Sequence, residues 1–136
     1  MKFDTKIAVI LREDLPVWQK LNVTAFTVSG IVGTMPGLVG DNYVDRSGNV
    51  YLPMIRQPVM IFSASGQALR TVYERAMTRG VRPAIFTEEL FSTTHDEENR
   101  AAVKACGREE LKLVGLAVRD EKKVIDKIVK GLSLHS

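Results

Sequence analysis

Cysteine is all but missing from this chain. Cys106 stands alone in 136 residues, so no intrachain disulfide can form. A fold without that staple is held by its core, and a lone thiol fits a reducing compartment. Histidine is nearly as scarce. With only His95 and His135, no clustered zinc set of Cys and His can be assembled. Long apolar runs are lacking too. In "MKFDTKIAVIL" the aliphatic stretch lies behind charged residues and is too short for a secretory h-region or a membrane span. These absences lead us to expect a soluble, cytoplasmic protein with no membrane partner, no metal and no cofactor. Charge of one sign is not in large excess either. The formal net charge is +3, short of the clustered basic face of a dedicated nucleic-acid binder, although it permits a polyanionic partner. What is present is an ordinary globular balance, 45% hydrophobic and 26% charged. A chain of this length buries roughly two thirds of its unfolded surface, enough for a true core.

The aliphatic run at residues 7–11 shows no alternation, which predicts a strand buried on both faces. Three charges follow it, Arg12, Glu13 and Asp14. Pro16 suits the first turn of a helix, and Asp14 is placed to cap the free amides there. Trp18, Leu21, Ala25, Val28 and Val32 recur at spacings of three and four and predict one inward stripe. Met35-Pro36-Gly37 closes that helix. "GDNYVDRSGNVYLP", residues 40–53, reads as a hairpin around a turn rich in Asp, Ser, Gly and Asn. Residues 58–62 make a second buried strand. Ser65 then caps a helix over residues 67–79, with Leu69, Val72, Tyr73 and Ala76 inward and Gly80 at its end.

A third strand is expected at residues 82–87. Thr94 and Glu97 have the spacing of a capping box for the next helix, whose first turn holds Asp96, Glu97 and Glu98. Cys106 falls on the apolar side of that helix and reads as a small buried hydrophobe. A fourth strand covers residues 111–118. Asp120 is expected to cap a last helix carrying Val124, Ile125, Ile128 and Val129, which Gly131 stops. Strands alternating with helices predict one domain over residues 1–136. Its class is α/β, a three-layer α/β/α arrangement with a four-stranded, mostly parallel or mixed sheet and an inserted hairpin. Ile7, Val9, Ile61, Ile85 and Val114 should lie in its core.

Standard site patterns are absent. Gly30, Gly33 and Gly37 are spaced wrongly for a dinucleotide loop, there is no Walker phosphate loop, and Ser29-Gly30 is not a nucleophile elbow. Polar residues at strand ends remain, where open α/β sheets bind ligands. If strands one and three are parallel neighbours, Arg12, Asp14, Gln19, Lys20 and Asn22 converge with Glu88 and His95. Lys20 and Glu88 are then the candidate acid–base pair. Arg12, Asp14, Gln19, Asn22, Asp45 and His95 are the candidate ligand contacts, with Arg12 pairing Glu88 or Asp45. Plainer readings stand beside these: a cap for Asp14, solvated surface for Lys20 and His95, and a structural hydrogen bond for Asn22.

The order of "REDL" (residues 12–15), the strand–helix–strand unit of residues 58–87, and "GLAVRDEKKVIDKIVKGL" (residues 115–132) resembles the class II peptidyl-tRNA hydrolases. The chain is also similar to a bacterial family of unknown function placed beside those hydrolases, with "WQKLN", "YVDRSGN" and "HDEENR" as hallmark segments. The resemblance implies the scaffold and a pocket at the first helix. In the hydrolases that helix carries Gly-Lys-x-Ala-Ala-Gln-x-x-His. Here "QKLNVTAFT", residues 19–27, keeps Lys20 and sets Thr24 and Thr27 at the glutamine and histidine positions. Their Asp-Ala-Gly-x-Thr corresponds to "TEELF", residues 87–91, with Glu88 nearest the aspartate. Peptidyl-tRNA cleavage is therefore expected to be absent or very weak. Three readings stay open: an enzyme or binder for a small polar ligand; a non-catalytic homodimeric interaction module; and a hydrolase of an RNA-linked ester, with Lys20 and Arg12 on tRNA phosphate.

Overall fold

Every side chain of the aliphatic run Ile7 to Leu11 is buried, in strand β1, Thr5–Arg12, of the computed structural model, which describes residues 3–136. Helix α1 follows at Val17–Thr34, then the hairpin strands β2, Tyr43–Val44, and β3, Val50–Tyr51. Strand β4, Val59–Ala64, leads to α2, Gly66–Thr78, and β5, Ala84–Thr87. A 3-10 turn at Glu88–Phe91 precedes α3, Asp96–Lys104. Strand β6, Leu113–Glu121, α4, Lys122–Ile128, and the short β7, Ser133–Leu134, complete the order.

The sheet runs β5-β6-β1-β4-β7. Only β1 and β4 are parallel neighbours; β6 is antiparallel to both β1 and β5. Helix α1 covers one face, over β6, β5 and β1, while α2 and α4 pack on the other. The three-layer α/β/α class holds, with two corrections. Among the described residues the main sheet has five strands rather than four, because β7 adds two residues to the β4 edge. Strands β1 and β5 are parallel in direction but not neighbours. The continuously buried β6 takes the place between them, because it can satisfy two partners and two covered faces at once. Ile7, Val9 and Val114 are buried, and Ile61 and Ile85 are half-buried. No helix among the described residues is long and apolar enough to cross a membrane.

Helix α1 follows the expected stripe only toward its end, where Val28 and Val32 pack partly against the core; its first turns present another face. Val23, Thr27 and Ile31 are buried, whereas Trp18, Leu21 and Ala25 are exposed. After Lys20 the helix has no charged residue, so its periodicity marks no solvent side. The sheet makes the choice. Gly115 of β6 leaves the space into which Val23 packs; a Cβ there would lie 2.5 Å from Val23 Cγ1. Thr27 tolerates burial because its hydroxyl donates to Val23 O at 2.7 Å.

Three caps also differ. Asp14 does not cap α1. Pro16 is the N-cap residue, with no side-chain cap bond, and Asp14 is drawn to Arg12 instead. Asp120 does not cap α4: β6 continues through it to Glu121. At α3 the box shifts by one residue. His95 is the N-cap and its Nδ1 accepts from Glu98 N–H, while the Glu98 carboxylate takes Thr94 N–H and Oγ1–H. Cys106 lies beyond the end of α3 and is half-buried. Since α3 buries no residue fully, its cap matters. His95→Ala should cost about 1 kcal/mol, the scale of a lost N-cap, read as fraying of α3 in amide exchange.

The hairpin stands away from the sheet, with residues 41–52 exposed. Asp45 organises its turn. Its carboxylate accepts from Ser47 and Asn49 N–H, the Asn49 amide and the Tyr51 hydroxyl. These bonds, the Tyr51 one foremost, hold the Asp45 carboxyl at about 2, below its usual 3.8. The folded value is depressed, so the turn has its full support above pH 3.8 and loses it as pH falls through about 2. Acid titration of the tyrosine signals should show this step, and Asp45→Asn should abolish it.

Candidate functional site

Two clefts flank α1, and the residues singled out from sequence divide between them and a third cluster. That third cluster answers for the charges after β1. Arg12 Nε donates to Asp14 Oδ1 at 2.6 Å, and Arg12 Nη1 donates to Glu88 Oε1 at 2.8 Å. Strands β1 and β5 are two strand spacings apart, roughly 10 Å. The long Arg12 and Glu88 side chains meet over the start of β6, where Glu88 N–H also donates to Lys112 O. Glu88 foremost raises the Arg12 pKa, and the Arg12 hydrogen bond foremost lowers that of Asp14. Both carboxylates are well exposed, so the clip adds modest stability. Its acceptors are already matched to its one guanidinium.

The first cleft, of about 330 Å³, lies between α1 and the segment from the 3-10 turn to the start of α3. Its wall is aromatic. Phe86 is buried and packs edge-on to Phe26, with centroids 5.8 Å apart, and tilted against Phe91 at 4.9 Å. Phe91 meets Trp18 edge-on at 6.0 Å. The 3-10 turn makes this possible: it swings the chain back after β5, so Phe91 lands beside Phe86. Polar side chains line it too: Asn22, between Trp18 and Phe26 on the same face of α1, and Thr93, His95, Asp96 and Asn99 from the facing segment. Most of these side chains are already oriented. Thr93 Oγ1 donates to Leu90 O and to Asn99 Oδ1, His95 is held by Glu98, and Asp96 pairs with Arg100. Asn22 makes no side-chain hydrogen bond among the described residues.

The second cleft, of about 340 Å³, lies on the other side of α1 and contains Lys20 with His135. Lys20 Nζ is 3.1 Å from His135 Nε2.

The structure therefore brings Asn22 and His95 together in the aromatic cleft, and Arg12 and Asp14 together with Glu88 in the clip. Lys20 and Glu88 occupy different places, and Gln19 lines neither cleft. Asp45 is engaged within its own turn. Sequence reasoning missed Phe26, Phe86, Phe91, Thr93 and Asn99 as site residues, and His135 altogether. The one available signal was the density of Phe and Thr between residues 86 and 94, beside an α1 bearing Trp18 and Phe26.

A solved protein of unknown function from Agrobacterium tumefaciens strain C58 is 46% identical. The match covers 99% of this chain and 100% of that one, with a TM-score of 0.96. None of the curated proteins matches. The family model described as "Protein of unknown function (DUF2000)" matches residues 5–136, and the chain belongs to that family.

Proposed function

We propose that this domain binds a small molecule with a flat, ring-like body and hydrogen-bonding edges in the aromatic cleft. The observation that carries this reading is the convergence of Trp18 and Phe26 of α1 with Phe86 and Phe91 of β5 and the adjoining 3-10 turn on one cleft that the Asn22 and Asn99 amides also line. Rings pack edge-on or offset against such a wall, and a side-chain amide offers a paired donor and acceptor. The volume is at the lower end of the roughly 300–1,000 Å³ typical of ligand sites. A nucleobase or an aromatic amino acid has this chemistry.

The reading favours binding over peptidyl-tRNA hydrolysis. Thr24 and Thr27, at the positions of the hydrolases' glutamine and histidine, turn their hydroxyls back to Lys20 O and Val23 O. A thermal-shift screen over nucleotides, amino acids and tRNA tests it, because a ligand of the folded state alone raises the melting temperature. Trp18 is the only tryptophan, so its fluorescence should respond to the same ligand, and Trp18→Ala should remove the thermal shift. Stabilisation by tRNA alone, weakening steeply with salt, would instead favour the RNA-ester reading.

Self-association is the second reading, favoured by the exposed apolar crest of Val17, Trp18, Leu21 and Phe26 on α1. Sedimentation equilibrium of the parent and of Leu21→Lys tests it: a dimer that the lysine breaks supports the reading, and a parent monomer removes it.

A further inference from the structure

We infer that the second cleft, between α1 and the β4–β7 edge, takes the carboxylate end of an aliphatic acid. The cleft exists because α1 sits over β6, β5 and β1 and leaves the same face of β4 largely uncovered. That is why Ile61 of β4 is only half-buried. The walls are aliphatic: Leu11, Val17, Leu21 and Ile61. None of these residues belongs to the aromatic cleft.

One charged side chain lines this apolar trough, Lys20, which is half-buried with its ammonium contact open to solvent. Among the described residues no carboxylate pairs with it. Asp14, whose carboxyl feels the Lys20 charge, is hydrogen-bonded to Arg12 instead. The partner of Lys20 is His135, whose place is fixed by β7 and by its own N–H donating to Ile61 O at 2.8 Å. An ammonium can only donate, so Nε2 of His135 must be the acceptor. The ring proton then sits on Nδ1 and donates to Ser136 O at 2.9 Å. His135 thereby orients Lys20 through a ring nitrogen and brings no negative charge to it. One of the three ammonium donors is used, and two remain for a ligand.

The Lys20–His135 contact is open to solvent, and a carboxylate entering the cleft supplies the one negative charge and the paired acceptors that a charge-assisted hydrogen bond to Lys20 needs. A single cation suits a monoanion better than a doubly charged phosphate. The aliphatic walls suit an alkyl chain.

The test is titration of octanoate into the full chain by calorimetry, with octanol, octylamine and inorganic phosphate as comparisons. Saturable one-site binding of octanoate is expected, with the other three weaker. Lys20→Ala should weaken octanoate by about tenfold or more, the scale of a lost charge-assisted hydrogen bond. Leu21→Glu, at an exposed wall position, should weaken it too by placing a like charge beside the carboxylate. Lys127→Ala, on α4 across the sheet, should bind as the parent does. The inference is overturned if octanoate does not saturate, if octanol or phosphate binds as tightly, or if Lys20→Ala leaves its affinity unchanged. Failure of the ring-ligand screen would not bear on this result, since the two clefts share no lining residue.

Discussion

Phe86→Ala should lower unfolding stability by about 3–5 kcal/mol, the range for deleting a buried phenylalanine ring, and should abolish ligand binding in the aromatic cleft with it. Phe86 is 5% exposed and belongs to the α1-side core with Val114, Ala117 and Val23. It is also the ring on which Phe26 and Phe91 both pack. Its loss removes buried apolar surface, leaves a cavity and cuts two aromatic contacts, each worth about 0.5–1.5 kcal/mol beyond area alone. Phe86→Leu separates packing from function. It keeps most of the volume, so stability should fall much less than in the alanine variant, yet the ring wall is broken and ligand affinity should still drop. Urea denaturation followed by Trp18 fluorescence and far-UV dichroism reads the stability. A cost below about 1 kcal/mol for Phe86→Ala would show that the aromatic wall is not part of the core.

Gly115→Ala should destabilise by about 1–3 kcal/mol, the cost of forcing extra atoms into a packed core. The added methyl would lie 2.5 Å from Val23 Cγ1, 3.1 Å from Ile10 O and 3.3 Å from Leu11 Cδ2. Ile10 O belongs to the β1–β6 ladder and cannot retreat without breaking strand pairing. Val23 is fully buried, so relief requires α1 to lift from the sheet. The paired variant Gly115→Ala with Val23→Ala should therefore lose less than the sum of the two single changes, a coupling that a double-mutant cycle measures directly. Strict additivity would mean that α1 is not seated on Gly115.

The legible parts of this fold are those set by neighbours in sequence. Helix α2 was readable because Ser65, the Leu69–Val72–Tyr73–Ala76 stripe and Gly80 lie within one segment, and all behave as expected: Ser65 Oγ accepts from Ala68 N–H, the stripe is buried, and Gly80 has φ +69°. The hairpin was readable for the same reason, with Gly48 at φ +89° in its turn. Helix α1 was readable as a helix but not as to its face, because apolar residues surround it. Asp14 misled because a carboxylate just ahead of a helix has the local signature of a cap, while the guanidinium of Arg12 near it is a stronger partner.

The candidate site divides along the same line. Asn22 and His95 stood out as polar residues at element starts, and both line the aromatic cleft. Phe26, Phe86 and Phe91 did not stand out, since a phenylalanine in a helix or strand reads as core until its neighbours are known. His135 lies in "SLHS", too short and polar to read as a strand, and it reaches Lys20 only because β7 adds itself to β4.

By itself the sequence determined the class of this protein: apolar strands alternating with helices, no disulfide, and a three-layer α/β order. Tertiary structure alone decided that β6 lies between β1 and β5, that Val23 rather than Trp18 faces the sheet, and that Lys20 and Glu88 part company. The physical reason is range. Caps, turns and apolar periodicity act over a few residues. Strand order and the rotation of α1 are set by contacts such as Gly115 with Val23, between segments that only the folded chain brings together.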